Sequence, residues 1–140
     1  MSERIFLDIS FPYETDYLCL IGKIGEQLAW NLSSFSGDRE TLAYHVNLVL
    51  TEAVANAIEH AADNRSSPFL HVTIRVENGL LTIRVFDQGP GFSLCDVQES
   101  CDDTLEEHGR GIFIIKSLMD RVSYIKLDDG HVLEMEKNLY

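Results

Sequence analysis

Between Arg4 and Ser10, Ile5, Leu7 and Ile9 fall on one side of an extended chain and Phe6, Asp8 and Ser10 on the other. This period of two predicts a half-buried strand at a sheet edge. After Pro12, Thr15 or Asp16 is positioned to cap a helix running through Leu18, Ile21, Leu28 and Ala29 toward Trp30. Gly22 and Gly25 lie inside that helix; an imperfect helix is the plainer account of them, close packing the alternative. The strongest periodicity runs from Leu42 to Ala62, where Val46, Val49, Leu50, Ala53, Val54, Ala57, Ile58 and Ala61 recur at spacings of three and four. They predict a long amphipathic helix.

The segment Asp63 to Pro68 reads as a loop. Beyond it, Leu70, Val72, Ile74 and Val76 alternate, Asn78-Gly79 supplies a tight turn, and Leu81, Ile83 and Val85 alternate again, which together predict a β-hairpin. Phe92 to His108 holds six acidic residues and no Lys or Arg, and reads as a mobile loop. Gly109-Arg110-Gly111 then opens a second apolar helix with Ile112, Ile115, Leu118 and Met119, extending to Val122 at the furthest. Two strands close the pattern, Val122 to Leu127 and His131 to Lys137, joined by an Asp128-Asp129-Gly130 turn. The fold class expected is an α/β two-layer sandwich with a mixed, mostly antiparallel sheet covered by helices.

Composition narrows this picture. The 140 residues, 45% hydrophobic, suffice for one domain spanning residues 1–140 with a core of its own. No apolar run approaches the roughly 18 residues of a membrane span, and Met1-Ser2-Glu3-Arg4 lacks the basic and apolar regions of a secretory signal, so a cytoplasmic location is expected. Cys19, Cys95 and Cys101 form no C-x-x-C pair and suit reduced thiols. With 23 acidic residues against 11 basic ones, a net charge of -12 would repel a phosphate backbone, which argues against direct nucleic-acid binding.

Three segments carry candidate chemistry. On the long helix, Glu52, Asn56 and Glu59 line up at i, i+4 and i+7 along one edge. A solvated polar face is the bland reading of such a row, and the neighbouring segments count against it. Continuing the phase of Leu81, Ile83 and Val85 points Asp87 toward the core, where a carboxylate is costly unless it finds donors; such a break in pattern marks functional sites. Gly89 and Gly91 follow at once, where the backbone turns sharply or lets a ligand approach. The glycines flanking Arg110 open a helix whose N-H groups and dipole suit an anion.

Taken together, these motifs resemble the GHKL, or Bergerat-fold, ATPases. Leu50-Thr51-Glu52-Ala53-Val54-Ala55-Asn56-Ala57-Ile58-Glu59-His60-Ala61 is similar to the signature helix of the anti-sigma factor serine/threonine kinases of the RsbW type. Asp87-Gln88-Gly89-Pro90-Gly91-Phe92 resembles their D-x-G-x-G-F, and Gly109-Arg110-Gly111-Ile112 with Leu118-Met119-Asp120 resembles their later boxes. The resemblance implies ATP and Mg2+ as cofactors, Asn56 as the magnesium ligand and Glu52 as the catalytic general base. It implies Asp87 as acceptor for the adenine amine, Gly89 and Gly91 beneath the base, Gly109 and Gly111 beside the phosphates, and the acidic loop as the ATP lid.

Arg110 departs from the small residue common at its position, and it and Lys116 are the candidates for phosphate contact in a site whose lid has no basic residue. The remaining histidines, His45, His71, His108 and His131, lack metal-ligand spacing and read as structural. The implied function is an ATP-dependent serine/threonine protein kinase that phosphorylates an anti-sigma antagonist of the STAS type and sequesters a sigma factor, as a homodimer without membrane contact. The alternatives are a non-catalytic ATP-binding interaction module of the same fold and an unliganded structural domain, which would leave the inward Asp87 beside paired glycines without a purpose.

Overall fold

A computed structural model describes residues 3–33, 35–61, 67–88 and 107–140. Strand β1 (Ile5–Pro12) leads through a short 3-10 turn (Thr15–Tyr17) into α1 (Leu18–Trp30) and then α2 (Arg39–Glu59). Strands β2 (Phe69–Glu77) and β3 (Leu80–Asp87) follow, then α3 (Glu107–Leu118), β4 (Arg121–Leu127) and β5 (Gly130–Asn138).

The strands form one sheet in the order β1-β2-β3-β5-β4. Every pairing among the described residues is antiparallel, so the described strands form an antiparallel sheet where a mixed one was expected. The reason is topological. The chain crosses from β3 through α3 to β4, which runs in the direction of β3, but the β4–β5 hairpin inserts β5 between them and no parallel ladder forms. β1 occupies an edge, with Ile5, Leu7 and Ile9 half-buried and Phe6, Asp8 and Ser10 exposed. Asn78 and Gly79 both adopt positive φ, 53° and 75°, as a two-residue hairpin turn requires.

The core lies between the sheet and the helices. Leu70, Val72, Ile74 and Val76 of β2, Leu81, Ile83 and Val85 of β3, and Leu133 and Met135 of β5 are buried with Val46, Val49, Leu50, Ala53, Val54 and Ala57 of α2 and Ile112 and Ile115 of α3. α2 begins three residues before Leu42, because the Asp38 carboxylate accepts from the Thr41 N-H at 3.2 Å and the Thr41 hydroxyl at 2.9 Å and so caps it. It ends at Glu59, short of Ala62. Arg39, at its first turn, donates to the carbonyls of Ala29 and Trp30 at 3.4 and 3.2 Å, tying the start of α2 to the end of α1.

Neither Thr15 nor Asp16 caps α1. The chain enters through the 3-10 turn instead, with Tyr17 in the capping position and no side-chain cap. Gly22 and Gly25 are there for close packing. A Cβ on Gly22 would stand 2.5 Å from Asn47 Oδ1 and 2.8 Å from Thr51 Oγ1, and one on Gly25 would run into Leu50 and Val46. α1 can approach α2 only where these side chains are missing.

α3 likewise differs from expectation at both ends. It starts at Glu107, so Gly109 falls in its first turn and Gly111 past it, and the two do not flank its beginning. It stops at Leu118, whose carbonyl accepts from Lys137 Nζ at 2.9 Å, and Asp120 N-H already pairs with the Glu136 carbonyl of β5 at 2.9 Å. Met119 is therefore just outside the helix, and Val122 belongs to β4.

Candidate functional site

The first and third sequence motifs meet where α2 packs against α3, while Asp87 of the second motif ends strand β3. Asn56 sits one turn after Glu52 on α2 and is 7% exposed, while Glu52 is half-buried. A Cβ on Gly111 would lie 2.8 Å from Glu52 Oε2, so the missing side chain lets the carboxylate rest against α3. This contact brings the first and third motifs together. Glu59, the last residue of α2, is exposed, and His60 ends the helix with its N-H on the Asn56 carbonyl at 3.1 Å.

Asp87 is the last residue of β3 and, as its phase predicts, it is buried, at 7% exposure. Opposite it in β5 stands His131, and beyond that, on β4, Tyr124. The Tyr124 hydroxyl donates to Asp87 Oδ2 at 3.3 Å, and His131 Nδ1 lies 4.0 Å from Asp87 Oδ1. The two rings stack almost parallel, 4.9 Å apart with 4° between planes. Burial first, then the charge of Asp87 and the hydrogen bond to it, push the Tyr124 phenol above its ordinary value. It therefore stays a proton donor at neutral pH. Gly130 has its own part, since a side chain there would collide with the Asp87 carbonyl and force β5 away from β3.

A buried carboxylate steadied by a hydroxyl can accept a further N-H from a ligand, and a buried amide offers a hard oxygen to a cation. Arg110 is exposed on α3, and Lys116 is partly so in its last turn. Gly89, Gly91 and residues 92–106 of the expected loop lie outside the described residues, whereas Glu107 and His108 begin α3. Sequence reasoning missed Tyr124 and His131 as neighbours of Asp87. The Asp128-Asp129 turn does place Lys126 opposite His131 and Tyr124 opposite Leu133, but the pairing of β5 with β3 joins segments some forty residues apart.

Residues 23–137 match the model of the histidine kinase-like ATPase domain. The chain belongs to this family. Within the histidine kinase-like ATPase family, it is similar to the serine-protein kinase RsbW of Bacillus licheniformis, with 29% identity across 96% of this chain and 86% of that protein. It is 31% identical to the serine-protein kinase RsbW of Halalkalibacterium halodurans across 95% and 83%. With the anti-sigma F factor of Anoxybacillus flavithermus it shares 30% identity across 67% and 68%.

Among solved structures, the histidine kinase domain of a blue-light activated histidine kinase from Erythrobacter litoralis superposes with a TM-score of 0.55 at 21% identity, covering 92% of this chain and 62% of that one. The histidine kinase AdeS of Acinetobacter baumannii gives 0.54 at 14%, covering 95% and 68%. At such identities these structures establish the histidine kinase-like ATPase fold and nothing finer. Among the described residues, no helix is long and apolar enough to cross a membrane.

Proposed function

We propose that this chain is a single ATP-binding kinase domain that transfers the γ-phosphoryl group of Mg-ATP to a serine or threonine of a small STAS-type anti-sigma antagonist, and that it also sequesters a sigma factor. The observation that carries the reading is the seating of the Glu52 carboxylate against Gly111, with Asn56 one turn along α2. The named relatives, serine-protein kinases RsbW and an anti-sigma F factor, supply the class of reaction and of partner. A homodimer in the cytoplasm completes the proposal.

In this reading Asp87 accepts a hydrogen bond from the adenine amine, Gly89 and Gly91 lie beneath the base, and Gly109, Arg110 and Gly111 border the phosphates. Asn56 fits a magnesium ion. Its amide is buried and, among the described residues, makes no side-chain hydrogen bond, which leaves its oxygen for a hard cation beside phosphate oxygens. When bound, the ion neutralises charge on the β- and γ-phosphates. Glu52 takes the proton of the attacking hydroxyl as the new oxygen–phosphorus bond forms and the bond to the β-γ bridging oxygen breaks, leaving ADP.

The test is incubation of the protein with γ-labelled ATP, magnesium and its cognate antagonist. Label on a serine or threonine of the antagonist is the expected result. ATP and antagonist both bound with no label transferred would instead identify a non-catalytic ATP-binding module.

A further inference from the structure

Asp87 does not stand alone. It is flanked by two aromatic side chains from the far strands of the sheet, and their arrangement goes beyond what packing needs. Tyr124 is partly buried, and its hydroxyl is spent on one carboxylate oxygen, Oδ2, at 3.3 Å. His131 stacks flat on the Tyr124 ring and directs Nδ1 to within 4.0 Å of the other oxygen, Oδ1. That nitrogen is buried and has no hydrogen-bond partner among the described residues. A carboxylate on a single rotatable bond has a broad torsional preference, so without such contacts its plane would be poorly fixed. Here one oxygen is tied to a hydroxyl and the other faces an imidazole nitrogen.

We propose that Tyr124 and His131 are positioning residues that fix the plane of the Asp87 carboxylate and thereby set the base selectivity of the nucleotide site. The inference rests on the reading of Asp87 as the acceptor for the adenine amine. Tyr124 holds Oδ2, so the carboxylate presents a fixed lone-pair direction to the ligand. His131 holds the Tyr124 ring by stacking and fills the space beside Oδ1, which limits rotation of the carboxylate. An adenine amine then meets an oriented acceptor. A base with a carbonyl at that position, as in GTP or inosine triphosphate, meets a carboxylate that cannot turn away, and lone pair faces lone pair. Selectivity for adenine follows from rigidity as much as from charge.

The experiment is calorimetric titration of ATP and inosine triphosphate, with magnesium, into the wild type, Asp87→Asn, Tyr124→Phe and His131→Gln, with thermal unfolding as the fold control. Tyr124→Phe removes only a hydroxyl and keeps the stacked ring, so it separates orientation from folding. It should lower ATP affinity roughly three- to tenfold, the order of one ordinary hydrogen bond, because the lost bond orients the acceptor and does not itself touch the ligand; inosine triphosphate should change little, so that the ATP preference shrinks. His131→Gln should shrink the preference in the same direction. In the Asp87→Asn background, Tyr124→Phe should change the preference no further.

Equal loss of affinity for both nucleotides in Tyr124→Phe, or an unchanged preference, would overturn the inference while leaving Asp87 as the acceptor. If Asp87→Asn itself leaves the ATP preference at the wild-type value, or the wild type binds neither nucleotide, the nucleotide reading fails and this inference fails with it.

Discussion

Asp87→Ala removes the acceptor proposed for the adenine amine, and the missing hydrogen bond should cost about 1 to 3 kcal/mol of ATP binding. Calorimetry showing equal affinity for mutant and wild type would contradict the assignment. Asn56→Ala should weaken nucleotide binding only when magnesium is present, which titrations with and without the ion would reveal. Gly111→Ala makes a sharper case. Its Cβ would stand 2.8 Å from Glu52 Oε2, the far end of a flexible side chain that can swing aside, so stability should barely change. Transfer should fall by roughly tenfold or more, because displacement of a reacting group by about 1 Å carries penalties approaching 10². Transfer at the wild-type rate in a folded Gly111→Ala protein would show that the carboxylate's seat does not matter. At this scale the sequence was eloquent about Asp87, because an acid in an apolar phase has no cheap explanation. From it His131 reads only as structural, and it gave no sign that His131 or Tyr124 stands beside Asp87, since that relation exists only across paired strands.

Helices and strands were legible wherever local periodicity and turn chemistry decide them. The Asn78-Gly79 hairpin, the stripe of α2 and the edge strand β1 all follow from local patterns. Element ends were not, because tertiary partners fix them: Asp38 extends α2 backward, and strand pairing of Asp120 stops α3 early. Gly22 and Gly25 could be read from sequence as mere weakness, and only the proximity of α2 gives them a purpose. Gly25→Val should therefore destabilise the fold by about 1 to 3 kcal/mol through overpacking against Leu50 and Val46, measured by denaturant unfolding. Lys23→Val on the exposed face of the same helix serves as the control, and equal effects of the two would refute the packing account. The α2 cap adds a pH dependence. Hydrogen bonds from the Thr41 N-H and hydroxyl hold the Asp38 carboxyl below its ordinary value. A depressed acid contributes stability that is full above its unfolded pKa of about 3.9 and fades as pH falls through the folded value. The stability gap between wild type and Asp38→Asn should accordingly be constant near neutrality and narrow below about pH 4. A gap unchanged into stronger acid would remove the charge from the explanation.

For the molecule as a whole, the sandwich of helices on one sheet was legible, whereas the full antiparallel character of the sheet was not. The mixed sheet expected is not found, because β5 inserts between β3 and the like-directed β4. That insertion carries His131 to the side of Asp87, so the same topological step that hid the sheet order also built the environment of the carboxylate. The net charge of -12 adds a consequence for partners: association with a basic surface should slow as salt is raised from about 0.05 to 0.5 M. The most direct test of the account is the single-turnover rate of phosphoryl transfer to the antagonist at saturating Mg-ATP, compared between wild type and Glu52→Gln. Glutamine keeps the size of the side chain and abolishes its basicity. The account predicts transfer to serine or threonine by the wild type, near-normal ATP binding by the mutant, and a rate lowered by roughly 10² to 10⁴, toward the smaller figure for a loose transition state. A Glu52→Gln protein that transfers phosphate as fast as the wild type would contradict it.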